Sequence, residues 1–192
     1  MKTAECPKRE AILGIDPGSL ITGWGVIEAE GNRLRYVAHG AIGTSTALGQ
    51  AERLKQIYRG IGDVIRCYGP AAVSLEKVFL SRNVQSALKL GQARGVAMLA
   101  ASEGQVPLSE YSATEIKVAV VGYGHATKEQ IQRMVTTLLG VRGALRTDAA
   151  DALAAAICHF HRRTHQARLG ESAILRPAKA SWRQYVATES KR

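Results

Sequence analysis

Short apolar runs separated by turn residues occupy the first part of the chain, and they predict three β-strands. The runs lie at about 11–16, 24–30 and 34–42, with a Gly/Ser loop after the first and the turn signal Glu30-Gly31-Asn32 after the second. Strands joined by such short connections pair antiparallel. We therefore expect the chain to open with a three-stranded antiparallel meander.

From residue 48 the spacing of the apolar positions changes to that of amphipathic helices. The positions that recur at helical spacing before a stop at Gly69-Pro70 are Leu54, Ile57, Tyr58, Ile61 and Ile65. The remaining predicted elements are a strand at 71–79, a helix at 83–103, a strand at 106–112, and helices at 114–121, 127–139 and 148–163. Thr127 and Gln130 form a predicted capping box, and Thr147 is the predicted cap of the last helix.

The order of these elements predicts an α/β fold. Strands connected through helices return parallel by a right-handed crossover, so the fourth and fifth strands join the meander in one mixed sheet. We expect the first strand to be central beside the fourth, with helices on both faces. This five-stranded arrangement is that of the ribonuclease H-like fold, although other α/β folds share the pattern. The predicted organisation is a flexible extension (1–10), a ribonuclease H-like domain (11–165) and a basic, mobile tail (166–192).

The composition is that of one globular domain. The chain has 192 residues, of which 46% are apolar and 22% charged, and it contains neither an apolar stretch long enough for a bilayer nor a signal-peptide core. Cys6, Cys67 and Cys158 form no C-x-x-C pair, which disfavours a zinc site or a disulfide framework. We expect a cytoplasmic protein with no membrane contact.

The charge is strongly positive and unevenly distributed. A net charge of +10 and a pI near 9.9 favour an anionic partner, most often nucleic acid. Residues 161–192 carry eight Lys/Arg against two Glu, so six of these charges belong to the terminal segment and four to the rest. A basic tail alone is weakly specific, because such tails also serve as solubilising ends.

Two acidic residues interrupt apolar strands. Asp16 ends the first strand and precedes Pro17-Gly18, and Glu76 lies within the fourth strand. Ordinary explanations exist for both, since Asp-Pro-Gly is a common turn sequence and a strand with one solvated face accommodates a carboxylate.

Two further acids, Asp148 and Asp151, are three residues apart and share one face of the last helix near its beginning. Acids in a first helical turn are favoured by the helix dipole alone. The residues around them are alanines and Leu153, however, which predicts a buried helix whose acids face the sheet.

Four buried carboxylates in one place require compensation, because each isolated charge costs several kcal/mol to desolvate. Oxygen-only ligands favour hard divalent ions such as Mg²⁺ or Mn²⁺. Two such ions about 3.5–4 Å apart clamp the attacking and leaving oxygens of a phosphodiester hydrolysis. On this interpretation Asp16 ends its strand because the strand delivers it to a metal site, as the ligand shared between the ions.

Three ordered stretches resemble the RuvC family of bacterial Holliday junction resolvases. They are GIDPGSLITGWGVIE, LEKVFLSRNVQSALKLGQARG and TDAADALAAAICH, and the resemblance extends from about residue 12 to residue 161. It implies a homodimer that cuts four-way DNA junctions by paired nicks, with Mg²⁺ or Mn²⁺, together with a branch-migration motor in recombinational repair. The family's metal-binding acids match Asp16, Glu76, Asp148 and Asp151, although some members have His where this chain has Asp148.

The resemblance also implies DNA contacts. Phe79 matches an aromatic residue implicated in stacking on unpaired bases, and Lys117 and Lys128 match lysines that contact DNA near the acids. Arg82, Lys89 and Arg94 give the second helix a basic character that suits backbone contacts. From the residues alone, a core aromatic and solvated surface lysines explain these positions equally well. The small residues of the second helix mark a surface for a second subunit or for packing on the sheet; they are Gly91, Ala93, Gly95 and Ala97.

Three other functions compete with this interpretation. Asp-x-Gly followed by a hairpin also occurs in sugar kinase, actin and chaperone ATPases, but those proteins need a second lobe with a second such loop. A ribosomal-RNA-processing relative of the same fold shares an Asp-Pro-Gly strand and lacks ALKLGQARG. A non-catalytic DNA-binding module explains the charge and leaves the four acids without a role.

Overall fold

The structure is a computed structural model that describes residues 10–77 and 84–174. It divides the chain into two units, residues 1–161 and 162–192. In the second unit the described residues are helical up to Ile174. The elements are β1 (Glu10–Asp16), β2 (Ile21–Glu30), β3 (Arg33–Gly43), α1 (Gln50–Tyr68), β4 (Ala72–Glu76), α2 (Val84–Glu103), β5 (Leu108–Tyr111), α3 (Ala113–Val121), α4 (Lys128–Leu139) and α5 (Thr147–Ile174).

The strands form one mixed sheet in the order β3-β2-β1-β4-β5. β1, β2 and β3 are the antiparallel meander, whereas β4 pairs parallel with β1 and β5 pairs parallel with β4. The first strand is therefore central and lies beside the fourth. The predicted fold class, a five-stranded mixed sheet of the ribonuclease H-like type, is confirmed.

Successive residues of β1 enter two different cores, because side chains alternate between the faces of a sheet. Ile12 packs in the core formed with α3, α4 and α5. Leu13 and Ile15 pack in the core formed with α1 and α2. Both faces of the sheet are thus covered by helices, and Asp16 belongs to the face that α5 covers.

α5 lies unusually close to the sheet. A Cβ atom added to Gly14 would lie 1.9 Å from the carbonyl oxygen of Ala152, and one added to Gly25 would lie 2.5 Å from a Leu153 side-chain carbon. These two glycines face each other across β1 and β2. The buried Ser74 hydroxyl on β4 also donates a hydrogen bond of 2.6 Å to the carbonyl oxygen of Ala155. Glycines and a serine in the strands therefore hold α5 at the sheet.

Several element boundaries differ from the predicted ones. The fourth strand ends at Glu76 within the predicted range 71–79. The last helix was predicted to end at Arg163 and continues to Ile174, because residues 164–174 contain good helix formers and the next proline is Pro177. Thr147 is the first residue of that helix instead of its cap. The capping box of Thr127 and Gln130 is confirmed.

The predicted three-part organisation, with boundaries after residues 10 and 165, stays a prediction. Within the described ranges, no helix combines the length and the hydrophobicity that crossing a membrane requires.

Candidate active site

Two of the predicted acids end neighbouring parallel strands. Asp16 is the last residue of β1, and Glu76 is the last residue of β4. Because the preceding residues Ile15 and Leu75 are register partners, the two strands deliver their terminal carboxylates to the same edge and the same face of the sheet. The backbone N–H of Lys77 donates to the Tyr111 carbonyl at 2.8 Å and fixes the chain just beyond Glu76.

The turn after Asp16 is held by a buried threonine. The Thr22 hydroxyl donates to the Gly18 carbonyl at 2.9 Å and accepts from the Gly18 N–H at 3.3 Å. A Cβ atom on Gly18 would lie 1.9 Å from the Ile21 carbonyl oxygen, so the turn requires glycine there. The Asp-Pro-Gly sequence therefore forms a turn, which is the ordinary explanation given above for Asp16. The same turn also fixes the position of the Asp16 carboxylate.

A buried arginine from α1 supports the same turn. The Arg53 guanidinium donates to the Ser19 carbonyl, and its Nε lies 3.4 Å from the Thr44 hydroxyl at the end of β3. Arg53 is 8% exposed. α1 thus anchors, from the other face of the sheet, the loop that follows Asp16.

The start of α5 brings the other two acids to Asp16. A Cβ atom on Gly23 would lie 2.0 Å from the Asp148 carbonyl oxygen, and Gly23 is the register partner of Asp16. The backbone at Asp148 therefore rests on β2 directly beside Asp16. Asp151 follows on the same helix face one turn later.

A cleft of about 400 Å³ lies at this edge of the sheet. Asp148 is half-buried and is not one of the residues that line the cleft. The charged residues that line the cleft are Asp16, Glu76, Lys77, Lys117, Lys128 and Asp151, and its other lining residues are Pro17, Leu90, Ala113, Ile116, Ile131 and Ala154. The cleft is therefore a charged groove with an apolar wall.

The acids in the cleft are short of compensating charge. Burial, followed by the charges of Glu76, Asp151 and Asp148, raises the pKa of Asp16 to about 8. Burial and the Asp151 charge raise the pKa of Glu76, and burial is the main cause that raises the pKa of Asp151. Because repulsion from the three neighbouring acids contributes to the raised pKa of Asp16, a cation bound among these acids would be electrostatically favoured.

Three basic side chains balance part of this charge. Lys128 Nζ lies 3.7 Å from Asp151 Oδ2, and an Arg146 guanidinium nitrogen lies 3.8 Å from Asp148 Oδ2. Lys117 lines the cleft and lowers the pKa of Glu76, although burial outweighs its effect. The balance is incomplete, since the three pKa values remain raised.

The donor set fits a hard divalent cation. Its donors are carboxylate oxygens, the ligands that Mg²⁺ and Mn²⁺ prefer. The acids do not form a closed cage: in the part of the chain that the structure describes, no three His, Cys, Asp or Glu side chains are arranged to hold one ion. Instead, Lys128 pairs with Asp151 and Arg146 pairs with Asp148. The carboxylate donors still indicate a metal site, but these two ion pairs must break before Asp151 and Asp148 can bind a metal ion.

The predicted DNA-binding residues have different positions. Lys117 and Lys128 line the cleft. Lys89 is exposed on α2, and Arg94 is held by Glu110 of β5, with its Nε 2.9 Å from the carboxylate. Phe79 and Arg82 lie outside the described residues. The roles of all six in DNA binding stay predictions.

Arg53, Ser74 and Arg146 support or flank the site without having been predicted from the sequence. Ser74, a polar residue between Val73 and Leu75, had a usable signal, since a buried hydroxyl needs a partner. Arg146 also had a usable signal. It lies two residues before Asp148, and a cation so close in sequence to an acidic motif is expected to interact with its carboxylates. Arg53 had none, because its partners lie 9 and 34 residues away in sequence.

Comparison with known proteins supplies relatives that cover most of the chain. The family described as crossover junction endodeoxyribonuclease RuvC matches residues 12–159. The protein of that name from Pelobacter propionicus is 51% identical over 174 residues, which are 91% of this chain and 98% of the relative. The one from Geobacter sulfurreducens is 55% identical over 148 residues, 77% of this chain and 90% of the relative. The solved structure of T. thermophilus RuvC in complex with Holliday junction substrate superposes with a TM-score of 0.78 at 34% identity, covering 82% of this chain and 96% of that one.

Proposed function

The chain belongs to the RuvC family of crossover junction endodeoxyribonucleases, and on that premise we propose that it resolves four-way DNA junctions at the cleft lined by Asp16, Glu76 and Asp151. The observation that carries this proposal is the meeting of these acids with Asp148 at one edge of the sheet, where burial and mutual repulsion raise the pKa of Asp16 to about 8. A non-catalytic or RNA-processing role is not favoured, because the relative that matches 91% of the chain is a crossover junction endodeoxyribonuclease by name.

The enzyme is metal-dependent as a member of this family, and we propose two Mg²⁺ or Mn²⁺ ions held by Asp16, Glu76, Asp148 and Asp151. When bound, the ions supply activation of the attacking water and neutralise charge at the leaving oxygen. Asp16 is the acid whose pKa responds to all three others, so it is the natural shared ligand.

The basic residues of the cleft act on the DNA strand. Lys117 and Lys128 line the cleft beside the acids, and a lysine at this position attracts a phosphate and stabilises charge that develops on it. Without such cations the carboxylates would repel the DNA backbone. Phe79 is proposed to stack on an unpaired base at the junction, on the basis of the family resemblance alone.

A homodimer is proposed because paired nicks require two active sites. α2 carries an exposed stripe, defined as Val84, Leu88, Gly91, Gly95 and Leu99. Val84 is 70% and Leu88 58% exposed, and a Cβ atom on either glycine would meet nothing within 4 Å. The alanines of this helix that were predicted beside these glycines, Ala93 and Ala97, are buried in the core.

Small residues in open space let another helix approach closely, so we propose that the α2 stripe contacts the same stripe of a second copy. Sedimentation equilibrium of the wild type should give the mass of a dimer, and Leu88→Glu should shift it to that of a monomer. A wild type that stays monomeric at the concentrations at which it cuts junctions would contradict the dimer. Cooperation with a branch-migration motor in recombinational repair, and a cytoplasmic location, are proposed from the family alone.

The activity is tested by nicking of a synthetic four-way junction beside plain duplex and single-stranded DNA, with Mg²⁺, Mn²⁺ or EDTA. We expect symmetric nicks on the junction that require metal and that Asp16→Asn abolishes, while junction binding is retained. Asp63→Asn is the matched control, because Asp63 is an exposed acid on α1. Tight junction binding without nicks in either metal would remove the catalytic proposal, and loss of both binding and nicking in Asp16→Asn would make Asp16 a structural residue.

A further inference from the structure

The residue just before α5 adds a cation to the acid cleft that the proposed function does not use. Arg146 lies two residues before Asp148, and its guanidinium nitrogen is 3.8 Å from Asp148 Oδ2. Its side chain is 67% exposed. Arg146 therefore stands at the margin of the site, between the acids and solvent.

The backbone that carries Arg146 is fixed. The Gln132 side-chain amide on α4 donates to the Leu145 carbonyl at 2.5 Å, and the Ala150 N–H donates to the Arg146 carbonyl at 2.9 Å. Leu145 is buried in the core, with only 6% of its surface exposed. The position of Arg146 is thus set from both sides, even though its side chain reaches into solvent.

The guanidinium keeps its hydrogen-bonding capacity for a partner. A separation of 3.8 Å is too long for a hydrogen bond, and no residue of the described ranges 10–77 and 84–174 forms a hydrogen bond with this guanidinium. Two other arginines are hydrogen-bonded within the protein: Arg94 donates twice to Glu110, and Arg53 donates to the Ser19 carbonyl. Five N–H donors in a fixed fork match the oxygens of a phosphate.

Arg146 and Lys117 interact with acids that flank Asp16 on its two sides, Asp148 and Glu76. The Asp148 backbone rests on Gly23 of β2, whereas Lys117 acts on Glu76 of β4. β2 and β4 are the two neighbours of β1 in the sheet, so the backbones of these two strands are about 10 Å apart, which is two strand spacings. A DNA strand whose phosphate reaches Asp16 would pass between the two cations.

We propose that Arg146 binds a DNA phosphate adjacent to the one that is cut, on the β2 side of the acids. This inference rests on the proposed function in one respect, namely that the cleft receives a DNA strand. In the absence of DNA, Arg146 is held loosely by Asp148. In the complex the guanidinium turns to the phosphate, which also releases the Asp148 carboxylate.

The test is a salt titration of junction binding with the full chain in EDTA, so that no cutting occurs. We expect Arg146→Gln to weaken binding several-fold at about 0.1 M salt and to reduce the slope of log affinity against log salt by about 0.9 for each phosphate that the protein no longer neutralises. Arg146→Lys should keep the slope of the wild type, because a lysine still contacts a phosphate. Arg59→Gln is the matched control, since Arg59 is an exposed arginine on α1, on the other face of the sheet.

A wild-type salt slope in Arg146→Gln, whatever the affinity of that variant, would overturn the inference. If the same variant also shows a larger Mg²⁺-induced rise in melting temperature than the wild type, Arg146 is only a counter-charge for Asp148. Nicking is scored separately: failure of the wild type to nick would contradict the proposed function, and a reduced salt slope in the same samples would still support the phosphate contact.

Discussion

The two faces of the sheet are packed in different ways. On the face covered by α1 and α2, large aliphatic side chains interlock, among them Leu13, Ile57 and Ile61, all nearly fully buried. On the face covered by α5, glycines of β1 and β2 meet a helix that is rich in alanine, and Gly14 would have no room for a Cβ atom against Ala152.

This difference shows how the protein fixes its acids. Large side chains can adjust their rotamers when a neighbour changes, whereas backbone packed against backbone has almost no such freedom. Asp16, Asp148 and Asp151 all lie where β1, β2 and α5 are in this close contact. The face that carries the acids is therefore the one on which backbone packs against backbone, and the opposite face supplies ordinary hydrophobic stability.

The largest effect should follow from adding one methyl group at the close contact. Gly14→Ala places its Cβ 1.9 Å from the Ala152 carbonyl, so α5 must move away from the sheet. We expect the free energy of unfolding, measured by urea denaturation, to fall by about 3 kcal/mol, and nicking to be abolished.

Gly62→Ala on α1 is the control for this change. A Cβ atom there meets only the flexible end of Arg66, at 3.3 Å, so the gain in helix propensity should raise stability by about 0.5–1 kcal/mol. If Gly14→Ala were as stable and active as the wild type, the close packing of α5 would not be what positions the acids.

A second, smaller effect concerns pH and metal. The pKa of Asp16 is raised from 3.8 to about 8, so the folded protein without metal binds a proton there more tightly than the unfolded chain does. Between about pH 4 and pH 8 the unfolded chain loses this proton while the folded protein keeps it. The free energy of unfolding therefore falls progressively as the pH rises through this range. Since Mg²⁺ requires the ionised acid, the stabilisation that it gives should grow by at most about 1.4 kcal/mol per pH unit up to about pH 8 and then level off.

Thermal unfolding with Mg²⁺ and with EDTA, at pH values from 6 to 9, measures this dependence. Asp16→Asn is the control, because asparagine does not titrate and most of the dependence should disappear. A Mg²⁺ effect that stays constant between pH 6 and pH 8 would show that the acids are already ionised without metal.

The sequence predicts the elements on both faces of the sheet better than it predicts the packing between them. The apolar spacing of α1 and the capping box at Thr127 are local signals, and the structure confirms both elements. The four acids were found because a carboxylate inside an apolar run is unusual at each position separately. Their common location followed from strand order, which the connections between the strands determine.

The close contact of α5 with the sheet was not predicted, because it depends on pairs of residues far apart in sequence. Gly14 and Gly25 lie in separate strands, and nothing in either strand indicates that Ala152 and Leu153 will face them. The length of α5 was also underestimated, since good helix formers beyond Arg163 give no stop signal before Pro177. Local patterns identify elements, whereas tight packing between elements appears only once the fold has brought them together.

The smallest expected effect on stability gives the clearest comparison of the two faces of the sheet, because it uses one variant from each face and the two variants are expected to be equally stable. Ser74→Ala removes the buried hydrogen bond to the Ala155 carbonyl and should cost about 1 kcal/mol of unfolding free energy. Ile61→Val removes one buried methylene on the other face and should cost about the same. Ala155 lies one helical turn after Asp151, so Ser74 fixes the turn of α5 that carries this acid.

We therefore expect Ser74→Ala to raise the Mg²⁺ concentration needed for half-maximal nicking severalfold, whereas Ile61→Val leaves it unchanged. Both measurements are made on junction DNA at a temperature at which each variant is fully folded, so that the difference reports placement of Asp151 and not unfolding. Equal Mg²⁺ requirements in the two variants would mean that the acid cleft depends only on overall stability. A higher requirement in Ser74→Ala alone would show that contacts between the sheet and α5 set the geometry of the acids.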